Sequence, residues 1–388
     1  MKRINMKHIL LFLFLLSGSY LSAQTEITDA IFPEAGDTLF TAVDNLPSST
    51  IEITAAGGDQ SWDFTALQAP FTRQTLVLDA SEGDFSASFP NTNLVYKSGL
   101  NAETYYSVSD DEILLVGFTG ADPVGIGVEL VTKFDPAYTS QRAPLNFFDV
   151  NQFESNLNIP FATDEIPGGI FDNLPITPDS IRIRIAIDRL DVVDAWGNLT
   201  IPGGIYDVLR EKRTEVRDTR LDAKVGFFGW QDVTDIILAA AGEFGDIAEQ
   251  LGTDTILSYH FISDEAKEPI AVATMSDDEE SILQVEYKAN DVVTNVQDVT
   301  KLKPGVYVSP NPAMANVRFE FSNLESGIYT LRIYNILGVE VWSQKYQING
   351  TRTEKVNISS LRKGTYLYSL ISPEGKTLTT KRLIVVRP

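Results

Sequence analysis

Cysteine is absent from this 388-residue chain, and histidine occurs only twice, at His8 and His260. Without thiols there is no cysteine nucleophile, no thiolate zinc site and no disulfide. His8 lies in a leader read below as removed, so His260 is the one imidazole of the mature chain, and multi-histidine metal cages are excluded with it. Basic charge is scarce as well: 31 Lys+Arg face 53 Asp+Glu, a net charge of −22. Such an excess of carboxylates repels phosphate backbones and anionic lipid, which argues against nucleic acid or a membrane surface as partner. Long apolar runs are missing too. The longest, Ile9 to Leu16, falls well short of the roughly 20 residues needed to cross a bilayer.

Catalytic signatures are equally thin. There is no Gly-x-Ser-x-Gly elbow, since Ser98-Gly99 and Ser326-Gly327 both lack the preceding glycine. Gly125-x-Gly127 lacks the third glycine and following helix of a phosphate loop. The acidic strings Ser109 to Glu112 and Ser276 to Glu280 do not fit the alternating calcium loop and read as solvated hairpin tips. His260 sits in a strand pattern, with Tyr259 and Phe261 pointing one way and Ser258 and Ile262 the other. That suits a structural or surface histidine better than a catalytic base. No catalytic residue, cofactor or metal site is therefore expected.

What is present is a globular composition, 43% hydrophobic and 10% aromatic, on a length that suits two or three domains. Lys2, Arg3 and Lys7, the apolar run and then Leu21-Ser22-Ala23-Gln24 form the charged, apolar and small-residue regions of a secretory signal peptide over 1–23, cut between Ala23 and Gln24. Charge divides the remainder. Gly305 to Pro388 holds 11 Lys+Arg against 5 Glu, a net +6, and residues 1–23 contribute +3, so residues 24–304 carry −31. That asymmetry marks an acidic domain over 24–289 and a basic one over 305–388, joined by a polar linker over 290–304.

The acidic unit reads as a large antiparallel β domain with one helix, making the chain mainly β. Ser180 to Asp188 sets Ile181, Ile183, Ile185 and Ile187 against Arg182, Arg184, Ala186 and Asp188, the period of a half-buried strand. Tyr105 to Val108 and Ile113 to Phe118 read as a hairpin, while Thr255 to Ile262, Pro269 to Met275 and Ile282 to Tyr287 read as an antiparallel meander. The helix follows Asp232 as N-cap, with Ile236, Ala240, Phe244, Ile247 and Leu251 on one face. Two Pro-Gly-Gly strings, within Ile166 to Leu174 and Ile201 to Leu209, each predict a tight turn. Trp62, Trp196 and Trp230 read as core residues in preference to sugar-stacking platforms.

From Val306 onward, strand-like runs recur every ten or so residues: Val317 to Phe321, Tyr329 to Tyr334, Val339 to Ser343, Lys355 to Ile358, Thr365 to Ile371 and Thr377 to Val386. Turn signals at Asn323 to Gly327, Leu337-Gly338, Asn349-Gly350, Lys363-Gly364 and Pro373 to Gly375 separate them. Six or seven short strands predict a small immunoglobulin-like β-sandwich.

This tail carries an ordered set of motifs: Ser309-Pro310-Asn311-Pro312, Tyr334 to Val341 around Gly338, Ile358 to Tyr366 around Gly364, and the closing Lys381-Arg382-Leu383-Ile384-Val385-Val386. The combination resembles the C-terminal sorting domain of the type IX secretion system of Bacteroidota. The resemblance implies delivery to the periplasm by the signal peptide and recognition of the tail by the outer-membrane export machinery. The sorting motif would comprise Pro310, Asn311, Pro312, Gly338, Gly364, Tyr366, Lys381 and Arg382. It further implies removal of the tail and either release of the cargo or its attachment to anionic lipopolysaccharide. Strings in the acidic unit, such as Gly58 to Phe64 and Asp194 to Leu199, are similar to strings in other secreted Bacteroidota proteins bearing this tail. That likeness carries no activity with it.

These readings lead to a secreted or surface-attached protein whose large unit is a non-catalytic binding or envelope module. A secreted polysaccharide hydrolase is the alternative, because two suitably placed carboxylates suffice for that chemistry. Asp37-Thr38-Leu39, Asp179-Ser180-Ile181 and Asp254-Thr255-Ile256 also resemble the O-glycosylation sites of this phylum.

Overall fold

The computed structural model describes residues 26–45, 47–69, 71–97, 103–121, 129–162, 178–239, 250–276, 279–289, 305–309, 311, 313, 316–335, 338–358, 360–362 and 364–385. The leader with its Ala23-Gln24 cut, the 290–304 linker and the first Pro-Gly-Gly string lie outside the described residues. Among the described residues, no helix is long and apolar enough to cross a membrane.

The acidic unit is built from β1 (Thr38–Asp44), β2 (Gly57–Asp63), β3 (Phe71–Asp79), β4 (Leu94–Lys97), β5 (Glu103–Val108), β6 (Glu112–Ala121) and β7 (Glu129–Arg142). It continues through β8 (Val150–Ala162), β9 (Ser180–Ile201), β10 (Gly204–Val225), β11 (Gly229–Asp232), helix α1 (Thr234–Ala239), β12 (Gly252–Ile262), β13 (Ala271–Met275) and β14 (Ile282–Lys288). The strands form one 14-stranded sheet in the order β11-β10-β12-β13-β14-β1-β3-β4-β5-β6-β7-β8-β9-β2. Because β9 also pairs with β10, twelve of them close into a ring, with β11 and β2 appended outside it. Closure satisfies sheet edges that would otherwise template aggregation. The expected β5–β6 hairpin and β12–β13–β14 meander are both present.

The isoleucine alternation marks only the start of β9, which runs 22 residues and turns at Pro202-Gly203 into a β10 of equal length. Gly203 takes φ +86 in that turn, a conformation open to glycine at no steric cost. One bulge divides the pair: Val193 faces Glu211 and Ala195 faces Arg210, leaving Asp194 unopposed. The extra residue exchanges the two faces. Before it, Ile181, Ile183, Ile185 and Ile187 pack with Leu157, Ile159, Leu221 and Ile237 inside the ring. Beyond it, Ala195, Leu199 and Ile201 lie on the outside, covered with Ala42, Ala271 and Ala273 by Trp62, Phe64 and Leu67. A third cluster, with Ile27, Ile113, Leu145, Val193, Leu209 and Ile262, fills the other end of the ring.

Between the two inner apolar clusters lies a charged layer. Arg189 meets Asp191 at 3.0 Å, while Arg213 bridges Asp191 at 3.2 Å and Glu211 at 2.8 Å. Tyr138 of β7 donates to Glu215 of β10 at 2.6 Å, and Arg189 donates to the Thr139 carbonyl at 2.6 Å. The Arg189 guanidinium sits 4.6 Å from the Tyr138 ring and 4.5 Å from the Phe153 ring. The Tyr138–Glu215 and Arg189–Thr139 bonds join strands that are not neighbours in the sheet, which places this layer inside the ring. Buried charges of this kind are tolerated only when paired and hydrogen-bonded.

The helix departs from expectation in its rotation. Ile237 donates to the Val233 carbonyl, and Asp232 accepts from the Thr234 amide at 2.9 Å, so the helix starts beyond Val233. The Thr234 hydroxyl bonds to the backbone of Leu221, which turns Ile237 inward and leaves Ile236 half exposed. Ala240, Phe244 and Ile247 lie outside the described residues, and Leu251 packs against the same inner cluster as Ile237.

Strand β2 joins β9 in the sheet's one parallel pairing, with Gln60 opposite Gly197. A Cβ on Gly197 would stand 2.0 Å from the Gln60 carbonyl oxygen, which is backbone and cannot yield. Gly197→Ala is therefore expected to lift β2 and destabilise the unit by about 1–3 kcal/mol. Denaturant melts and a red shift of Trp62 emission check this, and an unshifted spectrum would contradict it.

The tail holds β15 (Gly305–Ser309), β16 (Asn316–Asn335), β17 (Glu340–Asn357), β18 (Gly364–Ile371) and β19 (Thr377–Val385), in the order β15-β16-β18-β19 with β17 also on β16. Among the described residues there are five strands where six or seven were expected. Val317 to Phe321 and Tyr329 to Tyr334 fuse into β16, and their partners fuse into β17. The turn signals at Asn323 to Gly327 and Asn349-Gly350 fall opposite each other, with Leu324 facing Gly350, and register shifts bend the hairpin there. That bend lets β16 pair β15 with its first half and β18 with its second. The buried cluster of the tail, from Val306 to Val385, contains no residue of the acidic unit.

Candidate functional site

Tail motifs that are distant in sequence meet on the terminal strand. β18 occupies one edge of β19, with Thr365 opposite Ile384 and Leu367 opposite Arg382. Asn311 serves the other edge. Its Nδ2 donates to the Arg382 carbonyl at 2.9 Å, and its Oδ1 accepts from the Ile384 amide at 2.8 Å. The Ala313 amide donates to the Ile384 carbonyl at 2.8 Å, forming a parallel bridge with Val385. A carboxamide carries a donor and an acceptor in one plane, so it imitates a peptide group. Asn311 and Ala313 thus satisfy this edge as a neighbouring strand would. Pro310 and Pro312 lie outside the described residues.

The glycines and the tyrosine support the same end of the sheet. Gly364 opens β18 opposite Val385. Tyr366 is buried opposite Leu383, and its hydroxyl donates to the Arg362 carbonyl at 2.8 Å. Gly338 takes φ +77 at the β16–β17 turn and donates to the Asn335 carbonyl at 2.9 Å. Asn335 is itself opposite Tyr366.

The basic pair faces two ways. Lys381 donates to the Val306 carbonyl at 3.1 Å and stands 4.1 Å from the Tyr307 ring. Burial pulls its ammonium down to about 7. Between that value and 10.5 the unfolded chain binds more protons at this site than the folded one, so stability rises with pH across the window. Tail unfolding is expected to shift upward by several degrees between about pH 6.5 and 9.5, and Lys381→Met to flatten the slope. An unaltered slope in the variant would assign the effect to another group.

Arg382 turns toward the acidic unit. Its Nη2 donates to the Leu283 carbonyl at 2.9 Å, and Asn45 donates to the Arg382 carbonyl at 3.1 Å. Burial lowers the Arg382 pKa, and Asp44 opposes that shift. Asn45 and Leu283 carry no sequence signal for this role, because the contact depends on how two sheets distant in the chain meet.

The residues weighed for catalysis are dispersed. His260 lies within 3.0 Å of the Ser258 hydroxyl. Burial, then Arg213 and Arg189, hold its imidazole well below the usual range, so it is neutral. Trp62 is buried edge-on to Phe261 at 5.0 Å, and Arg182 lies over Trp230 at 4.7 Å. A cleft of about 350 Å³ includes Asp37, Asp264 and Glu268. Glu265 lines it as well; of the other three carboxylates, Asp37 is committed to the Glu34 amide, Asp264 to Thr28, and Glu268 to Lys288 at 2.6 Å. Among the described residues, no group of three or more His, Cys, Asp or Glu is placed to hold a metal.

Residues 307–386 match the family model of the secretion system C-terminal sorting domain. No curated protein matches the chain. A solved structure of PorZ, an essential bacterial surface component of the type IX secretion system of Porphyromonas gingivalis, is similar at 11% identity with a TM-score of 0.17. That alignment covers 74% of this chain and 43% of PorZ, so the chain spans less than half of that protein's length. With Asn311, Tyr366 and Gly364 all set against β19, the segment over residues 307–386 is a C-terminal sorting domain of the type IX secretion system.

Proposed function

We propose that this protein is a cargo of type IX secretion whose acidic unit, residues 24–289, is a non-catalytic binding or envelope module. The sorting domain itself indicates export to the cell surface or beyond. In this reading, residues 1–23 are a signal peptide cut between Ala23 and Gln24, 290–304 a linker, and 305–388 a tail that is removed after recognition. The export machinery reads the motif from Pro310 to Arg382, and the cargo is released or joined to anionic lipopolysaccharide. The observation that carries the export reading is the family match over residues 307–386. The non-catalytic reading draws on the filled interior of the ring, where Asp191, Glu211 and Glu215 are bound to Arg or Tyr partners.

Truncation after Pro304 is expected to trap the protein in the periplasm. Surface appearance of the truncated chain would reject the export reading, whereas release of reducing ends from a polysaccharide panel would reject the non-catalytic one.

A further inference from the structure

Phe148 adopts φ +74, in the left-handed region that bulky L-residues avoid. The residue is 75% exposed and its ring meets the Phe147 ring at 3.9 Å, so little burial offsets the strain. The backbone is fixed in this shape from both sides. Phe148 donates to the Val193 carbonyl, Val193 donates to the Asp149 carbonyl, both at 2.9 Å, and the Asn146 amide donates to Asp149 Oδ2 at 2.7 Å. The anchor on β9 is the residue preceding the Asp194 bulge. A strained, firmly held residue with three quarters of its surface in water points to function rather than to packing.

Asp149, the next residue, begins the wall of a polar cleft of about 410 Å³, which Val150, Asn151, Asp111 and Arg142 continue. Among the described residues, the side chains of Asp111, Arg142 and Asn151 have no hydrogen-bond or ion-pair partner, and Val150 is 62% exposed. Two carboxylates beside one guanidinium give an anion no net attraction, and the guanidinium repels a metal ion. Such mixed donors and acceptors suit vicinal hydroxyls, each of which both donates and accepts. The phenyl ring and Val150 suit the apolar face of a pyranose. We infer that this cleft binds a neutral saccharide, with Asp111, Arg142 and Asn151 as the hydroxyl-reading groups and Phe148, which is outside the lining but next in the chain to Asp149, as a stacking platform at its edge. The inference rests on the binding-module reading and supplies its ligand class. A protein partner would also favour an exposed aromatic, but three uncommitted polar groups in a concave wall favour the sugar.

Calorimetric titration of the full mature chain with neutral hexaoses of glucose, mannose, galactose and N-acetylglucosamine tests this. At least one hexaose should bind saturably, and Phe148→Gly and Arg142→Ala should each weaken it tenfold or more. Phe148→Gly should also raise the Tm by about 2–4 °C, because glycine accepts the positive φ. A merely structural ring would lower it. Binding that survives both variants overturns this site and leaves the binding-module reading standing. Failure of every hexaose to bind ends the saccharide assignment without touching the export reading. Capture of a surface protein by the wild type but not by Phe148→Gly, with no hexaose bound, would replace it with a protein ligand.

Discussion

Asn311→Ala is expected to lower the Tm of the tail by about 10–20 °C and to cut surface delivery sharply. The alanine removes both bonds that Asn311 makes to β19. The Ile384 amide is then left without its acceptor on that edge, while the Arg382 carbonyl keeps Asn45. An orphaned, partly buried backbone group costs about 1–3 kcal/mol, and loss of the second bond adds about 1 kcal/mol. The total, about 2–4 kcal/mol, is a large share of the stability of a domain this small. Asn311→Asp keeps an acceptor for Ile384 but loses the donor, so it should fall between wild type and alanine. Circular dichroism melts and cell fractionation read both effects. A Tm within about 2 °C of wild type would show that the clip is incidental.

Arg213→Met is expected to destabilise the large unit by about 3–5 kcal/mol at neutral pH, since it strands Glu211 inside the ring and leaves Asp191 with Arg189 alone. Burial already raises the Glu211 carboxyl above its ordinary 4.5, and Arg213 is foremost among the groups that pull it back. A carboxyl raised in the folded state binds more protons there than in the unfolded chain. Its contribution to stability is therefore greatest below 4.5 and is lost as pH rises through the folded value. Removing Arg213 widens that window, so the deficit of the variant should grow from about pH 4 to pH 7. Adding Glu211→Gln should recover part of it by removing one stranded charge. Urea melts across this range decide the matter. A pH-independent deficit would locate the loss in packing rather than charge.

Much of the architecture could be read from local pattern. The alternation from Ile181 to Ile187, the hairpin around Ser109 to Glu112 and the meander ending at Lys288 all follow from a period of two broken by polar turns. Fusion of the tail strands was not legible, because Asn323 to Gly327 and Asn349-Gly350 look like hairpin turns whether the chain reverses or merely bends there. The helix rotation was missed because Ile236, Ile237 and Leu238 are all apolar, and the Thr234 bond to Leu221 that chooses among them comes from a neighbouring strand. Arg189 and Arg210, both nearly fully buried, run against the expectation that charge faces water.

By itself, the sequence determined the strand-rich class, the division into acidic and basic parts, and the ordered tail motifs, since each is written in composition or in spacing along the chain. Only the tertiary structure decided that β9 and β10 close a ring, that a bulge at Asp194 turns its lining inside out, and that Asn311 completes a strand some seventy residues away. Those outcomes depend on which distant backbone groups need a hydrogen-bond partner after folding, and no local periodicity records that need.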